Sequence, residues 1–84
     1  MIYFVYGITD CPACLRACAS LMEANLEYVF VETDFAKSYR AQLKKQHRRS
    51  TFPIIIRRSG DGVANETLII GGYDELTRHL PPKG

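Results

Sequence analysis

No stretch of the 84 residues comes near the roughly 20 consecutive apolar positions that cross a bilayer, which excludes a membrane-spanning helix. The start, Met1-Ile2-Tyr3-Phe4-Val5-Tyr6, has neither the basic residues nor the long apolar stretch of a secretory signal. A cytoplasmic setting is the expectation. Cysteine is scarce and odd in number: Cys11, Cys14 and Cys18 fall within eight residues, a poor framework for a secreted disulfide scaffold. Acid is missing altogether from residues 36–58, which carry eight bases. There is no internal repeat, linker or low-complexity tract, so residues 1–84 are expected to form one domain. A domain of this length buries only about 60% of its unfolded surface, and modest stability is expected.

What is present is enough for a packed core: 46% of the residues are apolar, and the 24% that are charged are too few for a disordered chain. Net charge is uneven, at −4 over the first 35 residues, +8 over residues 36–58 and −2 beyond, for +2 in all. That layout favours an anionic ligand or an acidic partner surface. It lacks the aromatic-interleaved basic surface of a nucleic-acid module, so no nucleic-acid partner is expected.

Residues 2–6 are aromatic and β-branched and predict a buried strand that stops at Gly7. Asp10 offers an N-cap oxygen and Pro12 suits a first helical turn. Leu15, Cys18, Ala19, Met22 and Leu26 then predict an amphipathic helix over about 12–25, with Asn25 as a left-handed stop. Strands are predicted at 27–32, 53–56 and 67–70, and helices at 36–47 and 74–80. Tyr39 and Leu43 are the expected contacts of the second helix, and residues 59–62 a hairpin turn. Tyr3, Phe4, Tyr28 and Phe30 read as core residues. The order β-α-β-α-β-β-α requires a parallel first pair joined by a right-handed crossover, then an antiparallel hairpin. The fold class is α/β: a four-stranded mixed sheet with helices on both faces, as in the thioredoxin fold.

Cys11-Pro12-Ala13-Cys14 follows a strand and opens a helix, the context in which a C-x-x-C reads as redox-active. The partial positive charge and free N–H groups of the helix N-terminus favour a thiolate on Cys11. A thiol pKa lowered from about 8.5 makes Cys11 both nucleophile and leaving group. Cys14, one turn on, is placed to resolve a mixed disulfide, and Pro12 stiffens the turn. The competing reading is a zinc half-site completed by Cys18, His47 or His79. No second C-x-x-C or H-x₃-H pair supports it, and no metal is expected. Cys18 reads as a packing residue, with a second disulfide to Cys14 as the alternative. His47 and His79 read as surface residues.

With Arg16-Ala17, then Thr51-Phe52-Pro53, then Gly71-Gly72-Tyr73-Asp74, the chain resembles the glutaredoxins of dithiol type over nearly its whole length. Those proteins usually show C-P-Y-C, T-V-P and G-G-x-D at these places and in this order. The resemblance implies a cis Pro53 lying against the disulfide, with the Phe52 backbone free to pair with bound glutathione. It implies that Thr51, Gly72, Tyr73 and Asp74 complete the glutathione site. It further implies a monomer with no bound cofactor and glutathione as reductant. The substrates would be disulfide-containing or glutathionylated proteins, ribonucleotide reductase among them.

Three departures matter. Ile8 stands where many members carry Lys or Arg, and Arg40, Lys44, Arg48 or Arg49 are candidates to replace that cation. Ala13 replaces the usual Tyr, and residues 57–66 make a longer hairpin that is a candidate partner contact. The expected function is glutathione-dependent thiol–disulfide exchange through Cys11 and Cys14. Ile8 gives weight to one alternative, a redoxin reduced by thioredoxin reductase. A second is an iron–sulfur carrier using Cys11 and glutathione; small Ala13 favours it and Pro12 opposes it.

Overall fold

A computed structural model of the chain describes residues 1–34, 37–46, 52–59 and 66–80. Its elements are β1 (Ile2–Gly7), α1 (Pro12–Glu23), β2 (Tyr28–Glu32), α2 (Lys37–Gln46), β3 (Ile54–Ser59), β4 (Glu66–Gly71) and α3 (Tyr73–His79). The sheet order is β2-β1-β3-β4, with β1 parallel to β2 and antiparallel to β3, and with β3 antiparallel to β4. This is the expected mixed sheet of the thioredoxin-like fold. No helix among the described residues is long and apolar enough to cross a membrane.

Strand alternation sorts β1 onto two faces. Tyr3 and Val5 join Ala17, Leu21, Ile55 and Leu76 in the buried core beneath α1 and α3. Tyr28 and Phe30 are half-buried against that core. Phe4 and Tyr6 point to the opposite face, where their rings stack. There Tyr6 and Ile56 share a cavity with Tyr39 and Leu43 of α2, which places α2 across the sheet from α1 and α3. Burial and the nearby Tyr39 hydroxyl push the Tyr6 pKa up, against the opposing pull of Arg58.

Several expectations need correction. Helix α1 buries Cys14, Ala17 and Leu21, whereas Leu15, Ala19 and Met22 are exposed. Both stripes have helical spacing, so periodicity alone could not choose between them. The N-cap is Cys11, not Asp10: its sulfur accepts a hydrogen bond from the Cys14 N–H. Pro12 at the first helical position fixes the cap one residue before it. Strand β3 runs to Ser59, three residues past the expected end, because Arg57 and Arg58 continue pairing with both β1 and β4. In α2 only Leu43 is buried, and Tyr39 is 39% exposed. Asn25 does take the left-handed backbone that ends α1, at φ 58°. The turn expected at 59–62 lies, beyond Ser59, outside the described residues.

Candidate functional site

The site forms where the carboxyl end of β1 delivers the chain to the amino end of α1. Cys11 and Cys14 are disulfide-bonded, with Cα atoms 5.3 Å apart. Their exposures differ. Cys11 is half-buried at the helix cap, while Cys14 is fully buried one turn further in. The Cys14 N–H points at Cys11 Sγ from 3.1 Å, the contact a helix N-terminus offers a thiolate. An incoming disulfide therefore meets Cys11 first.

Gly7 makes room for the buried sulfur. A Cβ at this position would stand 2.5 Å from Cys14 Sγ and 3.1 Å from the Phe30 ring. The Gly7 carbonyl accepts hydrogen bonds at 2.9 Å from both the N–H and the hydroxyl of Thr33, the buried polar residue just past β2. The next residue, Asp34, binds the turn that follows Gly7. Its Oδ1 accepts from the Thr9 N–H at 3.0 Å and its Oδ2 from the Thr9 hydroxyl. The Thr9 hydroxyl bond, aided by the Thr9 N–H and Arg40 and opposed by partial burial, holds the Asp34 carboxyl below its ordinary value.

Beside the cysteines lies an open groove of about 290 Å³, lined by Ala13, Arg16, Phe52, Pro53, Gly72, Tyr73, Asp74 and Glu75. Five of the residues expected at the binding site are thus brought together. Pro53 is buried and follows a cis peptide bond, the geometry the resemblance implied. Gly71 has φ +120°, a conformation suited to glycine, and a Cβ there would come within 2.8 Å of Glu75 Oε1. Glu75 turns back to accept from the Gly72 N–H at 3.2 Å and also faces Arg78 at 3.4 Å. These bonds cap α3 and shape the far wall of the groove.

Lys44 of α2 sits with its Nζ 5.1 Å from the centre of the ring of Phe52, a lining residue of the groove. Thr51, Arg48, Arg49 and His47 lie outside the described residues. Cys18 stays a free thiol, half-buried, and burial pushes its pKa up. His79 is exposed, as expected, and shares a 3.0 Å hydrogen bond with the Tyr3 hydroxyl. No cluster of three or more metal-binding side chains occurs among the described residues. Sequence reasoning missed Gly7, Thr9, Thr33, Glu75 and the clamping role of Asp34. The usable signal was topological: parallel β1 and β2 must end side by side, so the residues just after each must meet.

A strand-to-helix turn carrying a dithiol, faced by a cis-proline and a glycine turn, defines a thiol redox protein of thioredoxin-like fold. The family model for glutaredoxin matches residues 2–59, and the chain belongs to the glutaredoxin family. Among solved structures it is similar to the glutaredoxin of Brucella melitensis, with 28% identity and a TM-score of 0.67 over 93% of this chain and 76% of that one. It also shares its fold with the glutaredoxin-like NrdH-redoxin of Escherichia coli, at 16% identity and a TM-score of 0.63, over 99% of this chain and 100% of the other. No curated protein matches.

Proposed function

We propose that this protein is a glutathione-dependent thiol–disulfide oxidoreductase, reducing protein disulfides and glutathione mixed disulfides. The observation that carries the reading is the unequal pair, an accessible Cys11 at the helix cap over a buried Cys14, opening on the groove beside Pro53. The Cys11 thiolate attacks one sulfur of the target disulfide and joins it, and the other sulfur leaves as a thiolate. Cys14, as thiolate, then attacks Cys11 Sγ, which releases the reduced target and leaves the Cys11–Cys14 disulfide. One glutathione thiolate reopens that disulfide at Cys11; a second attacks the bound glutathione and departs as oxidised glutathione.

The groove is at the lower end of the size range of small-molecule sites. In this reading glutathione lies along it as an extended peptide, paired with the Phe52 backbone, its γ-glutamyl end toward Gly72, Tyr73 and Asp74. Thr51 adds to that wall. Lys44, Arg48 and Arg49 supply cations for the glycine carboxylate. The protein acts as a cytoplasmic monomer without a resident cofactor, on partners that include ribonucleotide reductase.

A second reading, reduction by thioredoxin reductase, is favoured by the groove's charge. Its charged lining is Arg16 against Asp74 and Glu75, a poor match to an anionic tripeptide, and Ile8 adds nothing to offset it. NADPH oxidation is to be followed with a small disulfide substrate in two coupled assays, one with glutathione and glutathione reductase, the other with thioredoxin reductase. The proposal expects turnover in the first. Turnover confined to the second contradicts it and selects the alternative.

A further inference from the structure

We propose that Asp34 is a positioning residue for Cys11: it clamps the β1–α1 turn to the end of β2, so that Cys11 is held as the cap of α1. The proposal rests on the reading of Cys11 as the attacking thiol. The turn between Gly7 and Cys11 is gripped at two successive points by two successive residues. Thr33 holds the Gly7 carbonyl with both its N–H and its hydroxyl, and Asp34 holds Thr9 by both the N–H and the hydroxyl of that residue. Thr9 stands two residues before the reactive cysteine.

A single exposed hydrogen bond of this kind would count for little. Two features set this one apart. The carboxylate takes both bonds from one residue, which fixes orientation as well as distance. It is also anchored through its chain neighbour Thr33, which is only 1% exposed. What the clamp secures is the placement of Cys11, with its extended backbone (φ −146°, ψ 96°) and its sulfur 3.1 Å from the Cys14 N–H. If the turn drifts, that N–H no longer points at the sulfur and the thiolate loses its stabilisation. Asp34 acts through geometry, since its negative charge would by itself oppose a nearby thiolate.

The test measures the rate at which iodoacetamide alkylates Cys11 at pH 7 in a Cys14→Ser background, with the modified peptide identified by mass. Asp34→Ala and Thr9→Val should each slow the reaction about three- to tenfold, as expected when a reacting group loses its placement. Thr9→Ser, which keeps the hydroxyl, should react at the parent rate. Unfolding midpoints taken alongside separate position from stability. A lowered midpoint with the alkylation rate unchanged would make Asp34 a structural brace only and overturn the proposal. Faster alkylation in Asp34→Ala would show that charge is the dominant influence, which overturns it as well. A parent Cys11 no faster than a free cysteine would instead overturn the nucleophile assignment, and the clamp with it.

Discussion

The cysteine wall of the groove is braced from outside, by Thr33 and Asp34 of the loop after β2, whereas the glycine wall is braced from within, by Glu75 turning back onto Gly72. The first wall adjoins the two cysteines at Ala13, and their turn is tied to the loop after β2, 25 residues away in sequence. The second wall turns at the cis bond before Pro53 and at the bend of Gly71 and Gly72. A nucleophile must be held against a partner it did not choose, so its support comes from a neighbouring loop. A wall shaped by such bends needs only local support, which a helix cap supplies.

The largest effect should follow from damage to the first wall. Cys11→Ser should lower both deglutathionylation and protein-disulfide reduction by about 10³-fold or more in rate, because a serine hydroxyl is not ionised at neutral pH. Next comes the packing behind that wall. Leu21→Ala removes a fully buried side chain of α1 and should cost about 2–5 kcal/mol. Met22→Ala, its 63% exposed neighbour, should stay within about 0.5 kcal/mol. Urea unfolding measures both, and equal costs would return α1 to the face expected from its sequence. Gly7→Ala forces a methyl group against Cys14 Sγ and should cost about 1–3 kcal/mol. The same titration reads this cost, and an unchanged midpoint would mean that the cysteine pair yields easily.

The smallest effect is a pH dependence. The folded carboxyl of Asp34 titrates below its unfolded value of 3.8, so its contribution to stability is present above that value and is lost as pH falls through the folded one. The gap in unfolding midpoint between the parent and Asp34→Asn should therefore be present at pH 7 and shrink below about pH 4. A gap that grows on acidification would contradict the assigned hydrogen bonds.

Element order, the sheet and the cysteine pair were legible because they depend on short-range pattern. A β-branched and aromatic run before Gly7, a Pro after Cys11 and a Gly-Gly before Asp74 each act within a few residues. The buried face of α1 was not legible. Leu15, Ala19 and Met22 recur at steps of three and four residues just as Cys14, Ala17 and Leu21 do, and only contact with Val5 and Leu76 in the core decides which stripe turns inward. Nor was the capping residue. Asp10 is the better cap by side-chain chemistry, yet Pro12 sets the helix start and leaves the cap to Cys11. The Thr9–Asp34 clamp escaped for a third reason: it joins two loops, and each residue taken alone looks like an ordinary turn former.

The account rests on a division of labour between an accessible Cys11 and a buried Cys14, and one variant tests it most directly. Cys14→Ser should be assayed on a glutathionylated peptide and on a protein disulfide, with circular dichroism confirming the fold. Removing a glutathionyl group needs one nucleophile, because a second glutathione regenerates Cys11, so most of that activity should survive. Dithiol reduction of a protein disulfide needs Cys14 to release the trapped partner, so most of that activity should be lost. Equal loss of both activities in a folded variant would contradict the assignment of Cys14 as the resolving thiol.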